Sequence, residues 1–128
     1  MITTRSQPEP FRTHYSSASH SALADAPKEK GGGAAGLGPH ELLEAALATC
    51  MNMAVRMEAQ RLRISLEAVT TSVQLDRTQV DVADFNYQVD VSGNITPEHR
   101  KLLEYAAENC PVRKTLSRTL AFRVQPVR

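Results

Sequence analysis

GLGPHELLEAALATCMNMAVRMEAQRLR, residues 36–63, is the stretch on which the fold turns. Pro39 suits a first helical turn, where its missing N–H would be unpaired in any case. Leu42, Leu43, Ala46, Leu47, Cys50, Met53, Ala54 and Met57 then recur at helical spacing, and Ala45, Ala48 and Met51 widen the stripe. The pattern predicts a helix of about 23–25 residues, with an apolar face broad enough to need cover on more than one side. Arg56, Arg61 and Arg63 gather toward its C-terminal end, where cations complement the helix dipole.

Upstream, KGGGAAGLGP (30–39) holds five glycines in ten residues and reads as a flexible connection. Residues 1–30 are rich in Ser, Pro and Ala, with short strands expected at Phe11–Tyr15 and Ser19–Leu23. Residues 1–18 read as an edge strand or a poorly ordered start. Downstream, Val69, Thr71, Val73 and Leu75 alternate with polar neighbours, as do Phe85, Tyr87, Val89 and Val91. Period-two alternation predicts half-buried antiparallel strands joined by a hairpin loop through DRTQVDVAD.

Thr96 and Pro97 then read as the N-cap and first turn of a second helix. Leu102, Leu103, Tyr105 and Ala106 are its expected apolar side, and Pro111 should stop it near Asn109. A short third helix is expected at 111–118, and the alternation of Leu120, Phe122 and Val124 predicts a final strand. Long helices with antiparallel strands make an α+β protein. A chain of 128 residues is the size of one domain, 1–128, and one this short often completes its core by oligomerising.

Composition narrows the function. Fifteen basic residues stand against fourteen acidic ones, which lacks the basic excess of a nucleic-acid-binding surface. The N-terminal MITTRSQPEPFRTHYSS has no apolar run of signal-peptide type, and no stretch reaches the 18 or more apolar residues of a membrane span. The expected compartment is the cytoplasm, with no membrane and no nucleic acid among the partners. His14, His20, His40 and His99 are not spaced as a metal site, and no cofactor is expected.

The two cysteines carry the chemistry. Cys50 lies mid-helix among Ala46, Leu47, Met53 and Ala54, so it sits on the apolar face. An apolar site raises a thiol's pKa, and such a cysteine is either an inert core residue or one activated by a nearby cation. Cys110 stands just before Pro111 in ENCPVRK, at an expected helix start where backbone N–H groups favour a thiolate. The bland alternative is a turn cysteine without a role. Sequence leaves their separation open, and a bridge needs Cα atoms within about 7 Å. A pair that meets supports a cycle of sulfenic acid, disulfide and reduction by an external dithiol.

GLGPHELLEAALATC resembles the signature of the OsmC/Ohr family, and NCPVRKTL is similar to that family's second motif, a Cys-Pro near the C-terminus followed by basic residues. ADAPKEKGG is similar to the stretch that precedes the signature. The resemblance runs from about residue 20 to the end. It implies an OsmC-like fold, a long central helix packed in antiparallel sheets shared across an intertwined homodimer. It also implies a thiol peroxidase acting on organic hydroperoxides, with Cys50 peroxidatic and Cys110 resolving. The reductant would be a dithiol, lipoyl or thioredoxin-like.

The best-characterised family members carry a glutamate ten residues before the first cysteine, where this chain has His40 followed by Glu41. They also carry an N-terminal activating arginine, for which Arg12 is the nearest match, with Arg5 behind it. Helix geometry separates Glu41 from Cys50 by about 13 Å and about 180° of rotation, so Glu41 can help only the thiol of a partner subunit. Met51, Met53 and Met57 read as core, and Met53 and Met57 also as an apolar lining for a hydroperoxide tail. Two other functions compete with the peroxidase. One is a non-enzymatic dimer binding an apolar small molecule, and the other is a thiol redox sensor.

Overall fold

The computed structural model describes residues 1–126. The chain forms two compact units, Met1–Ala45 and Ala46–Arg128. As the periodicity predicts, the architecture mixes helix with antiparallel sheet.

The first unit carries three four-residue strands, β1 (Thr3–Ser6), β2 (Thr13–Ser16) and β3 (Ser21–Ala24), paired antiparallel in that order. β2 and β3 fall within or beside the two expected strands. β1 is an edge strand inside the 1–18 range that offered one, though TTRS has no apolar alternation to fix its bounds. The glycine-rich segment is not the flexible connection expected. Ala24 bridges to Leu37, and the Asp25 carboxylate accepts the main-chain N–H groups of Gly33 and Ala35. Glycine is needed here for space. A Cβ on Gly32 would fall 2.0 Å from the Ala26 carbonyl oxygen, and one on Gly36 equally close to that of Leu23.

The main helix, α1 (Pro39–Arg61), begins in the first unit and continues through the second with the length its pattern predicts. It ends where Arg63 turns into the left-handed region at φ 55°, which lets the Ile64 N–H reach back to the Ala59 carbonyl. Its buried residues are Leu47, Met51, Val55 and Ala59, a ladder at four-residue spacing. Met53 and Met57, expected in the core, are instead 53% and 67% exposed. Two residues on from Met51 and Val55, they point about 200° away from that ladder.

β4 (Leu66–Asp76) and β5 (Asp84–Gly93) form the expected hairpin, in a register that sets Val69 opposite Val91, Thr71 opposite Val89 and Leu75 opposite Phe85. Beyond the irregularity at Leu66–Ala68, Val69, Thr71 and Val73 of β4 face α1. Val69 and Val73 pack on the core, and the Thr71 hydroxyl donates to the Ala48 carbonyl at 2.8 Å. The Asn52 amide donates to the Val69 carbonyl at 3.0 Å.

α2 (Pro97–Glu108) starts as read, with the Thr96 hydroxyl accepting the His99 N–H. Its buried side chains are Leu103 and Ala107, whereas Leu102 and Tyr105 of the expected apolar side are exposed. The stripe that wins is the one continuing at helical spacing into buried Cys110. α3 (Pro111–Leu116) follows, two residues shorter than expected. The final strand expected over Leu120–Val124 does not form. Residues 119–126 have no regular structure, with Phe122 and Val124 almost fully exposed. Apolar alternation prepares a segment for a sheet, but a strand exists only where a neighbour takes up its N–H and C=O groups.

Candidate functional site

The second unit brings Cys50 and Cys110 together. α1 supplies Cys50, half-buried one turn beyond Leu47 and packed against the core. The end of α2 delivers Cys110, which is 1% exposed and caps α3. Both are free thiols. Burial pushes the Cys110 thiol above its ordinary value, and its hydrogen bond to the Cys50 thiol pushes in the same direction. The main-chain N–H groups of Arg113 and Val112 offset part of this. The Val112 N–H also donates to the Cys50 sulfur at 3.4 Å. Cys110 is therefore held as a neutral thiol in contact with a more accessible one, a geometry suited to reversible oxidation of the pair.

The other residues singled out from sequence sit as follows. Arg12 lies in the first unit, where its guanidinium meets Asp25 at 3.6 Å and Glu9 at 3.2 Å. The carboxylates it pairs with are thus those two and not Glu41. Glu41 lies in the first turn of α1 and accepts the Gly38 N–H at 3.0 Å, closing the helix start. Met53 and Met57 line a shallow open recess with Arg56 and Gln60.

Sequence reasoning missed Asp25. It is buried, and its carboxylate accepts the N–H groups of Ala35, Ala26 and Gly33. The bond from Ala35 leads in holding its pKa below the ordinary carboxylate range, helped by Ala26, Gly33 and the charge of Arg12 against the cost of burial. The signal was present in the sequence as an aspartate just ahead of a glycine run. The first unit also contains an apolar cavity of about 650 Å³, walled by Ile2, Phe11, Tyr15, Pro39 and Leu42, with Asp25 at its edge.

Residues 31–125 match the sequence profile of the OsmC family, described as OsmC-like protein. The chain belongs to the OsmC-like family. Among solved structures, an OsmC-like protein from Mycoplasma pneumoniae is similar at 18% identity and TM-score 0.75, over 91% of this chain and 85% of that one. An organic hydroperoxide resistance protein OsmC from Legionella pneumophila is 22% identical, with TM-score 0.64 over 91% and 88% of the two chains. A third, an organic hydroperoxide resistance protein from Elizabethkingia anophelis, is 19% identical, with TM-score 0.64 over 91% and 86%. At these identities the likeness is one of OsmC-like fold. No curated protein matches the sequence. Among the described residues no helix is long and apolar enough to cross a membrane.

Proposed function

We propose that the protein is a cysteine-based peroxidase that reduces organic hydroperoxides. The observation that carries this reading is the contact between two free thiols, one half-buried and one fully buried, in a chain of the OsmC-like family. In the proposed cycle the Cys50 thiolate attacks the terminal oxygen of the hydroperoxide. The O–O bond breaks, the alkoxide takes up a proton and leaves as an alcohol, and Cys50 becomes a sulfenic acid. The sulfur of Cys110 attacks that of Cys50, the S–O bond breaks and water leaves. An external dithiol, lipoyl or thioredoxin-like, reduces the disulfide by exchange and is itself oxidised.

The working form is proposed to be a homodimer. Met53 and Met57 leave an open apolar stripe on α1, and among residues 1–45 only Ala24 and Asp25 are buried. A unit with so little interior gains stability when something covers it. In such a dimer Arg12 and Glu41 are available to a thiol of the other subunit, and Met53 and Met57 to a hydroperoxide tail.

Reduced protein mixed with cumene hydroperoxide should lose both thiols far faster than free cysteine does. Loss at the rate of free cysteine ends the peroxidase reading. Cys110→Ser should keep the first turnover and accumulate a Cys50 sulfenic acid, trapped by dimedone and read by mass spectrometry. The 650 Å³ apolar cavity favours a second reading, a carrier of an apolar small molecule. That reading predicts tight binding of an apolar fluorophore, unchanged in Cys50→Ser, with no peroxide turnover.

A further inference from the structure

The peroxidase reading uses the Cys110 turn only as the source of the resolving thiol. The same turn touches Cys50 in a second way, through the Val112 main-chain N–H at 3.4 Å from the Cys50 sulfur. Val112 is the second residue of α3, so its N–H has no helical carbonyl to serve, and the helical bonding of this turn begins with the Lys114 N–H on the Cys110 carbonyl. Pro111, immediately before it, contributes no N–H and holds its own φ near the helical value. The first main-chain donor after Cys110 is therefore aimed at sulfur by a residue with little freedom to move. The acceptor is not the sulfur of its own capping residue alone but one sixty-two positions away on α1.

We propose that the Val112 main-chain N–H is a catalytic donor to Cys50, holding the attacking sulfur as it becomes negative, so that the turn carrying the resolving cysteine also prepares the first step. This rests on the peroxidase reading for its purpose, though the contact itself does not. A donor built into the backbone stays in place through any side-chain rotation. It also keeps the two sulfurs in reach of each other, because both are fixed by the same turn. A hydrogen bond to a charged acceptor is worth more than one to a neutral acceptor, so the contact strengthens as charge develops on the sulfur during attack.

The experiment removes the N–H and keeps the side chain, with the weakened Pro111 carbonyl, which accepts from the Thr115 hydroxyl, controlled by Thr115→Val. α-Hydroxyisovaleric acid, the hydroxy-acid analogue of valine, placed at position 112 of the full chain turns that amide into an ester. The readout is the rate at which iodoacetamide alkylates Cys50 at pH 7, resolved by peptide mass spectrometry, with the melting temperature followed in parallel. We expect alkylation about tenfold slower than in the unmodified protein. At pH 7 the Val112 amide proton of the unmodified protein should lie downfield of its position in Cys50→Ala, where the acceptor sulfur is gone. Unchanged alkylation in a folded ester variant overturns the proposal. So does a Val112 proton that ignores Cys50, which needs no variant at position 112 to fold. Neither measurement uses a peroxide. Failure of the Val112 role with fast peroxide consumption intact therefore differs from failure of the peroxidase reading with the alkylation effect intact.

Discussion

At Cys110, burial and a neighbouring thiol act in the same direction, and both keep the proton on sulfur. Attack on a sulfenic acid needs the thiolate. Disulfide formation, followed by stopped flow after a pulse of hydroperoxide, should therefore accelerate as the pH rises from 7. It should show no plateau below the ordinary thiol value of 9.0, since the Cys110 value lies above it. A plateau near pH 7 would show that burial does not hold the proton on Cys110 during resolution. Asp25 is the opposite case, a buried group kept charged by three N–H donors and Arg12. Its carboxyl ionises below the ordinary value of 3.8 when folded. The stability it contributes is present above that value and is lost as the pH falls through the lower, folded one. Asp25→Asn should melt lower than the parent at pH 7, and the gap should narrow by pH 3. A gap independent of pH would assign the aspartate a purely steric role.

At the scale of elements, local chemistry placed the helix starts well. Pro39 opens α1 and Thr96 caps α2, because proline and a capping hydroxyl act on the backbone within a few residues. The end of α1 is less well matched to its residue. Arg63 occupies a left-handed conformation that glycine adopts without a Cβ penalty. Arg63→Gly should raise stability by about 0.5–1 kcal/mol, the relief of the penalty set against the greater freedom of glycine in the unfolded chain. Urea denaturation measures it, and a loss of stability would show that the Arg63 side chain contributes more than its backbone costs. Leu102 and Tyr105, expected on the apolar side of α2, and the strand expected at Leu120–Val124 were corrected for one cause. Several apolar stripes were available, and the choice among them rests on what lies opposite. In α2 the stripe of Leu103 and Ala107 is buried, and it ends at Cys110.

For the whole molecule, the telling quantity is apolar surface left open. Met53, Met57, Phe122 and Val124 are all more than half exposed. The proposed dimer predicts a consequence at Met53 and Met57. Replacing both with glutamate should shift the protein from dimer to monomer in light scattering and lower peroxide turnover with it. A monomeric variant with full turnover would show that a single chain holds the complete site.

Much of this protein was legible from residues that act locally. Spacing along residues 39–61 determined the long helix, alternation determined the hairpin, and Pro111 determined where Cys110 would stand. The signature around Cys50 and Cys110 was enough to indicate the family to which the chain belongs. Tertiary structure decided what depends on contacts distant in sequence. It decided that Met51 is buried while Met53 is not, and that the glycine run is pinned by Asp25. It also decided that the two cysteines meet, with the Val112 N–H on the Cys50 sulfur. Periodicity states which faces of an element are apolar, but burial and hydrogen bonding are pairwise properties, and the partner of each group is chosen only when the elements pack.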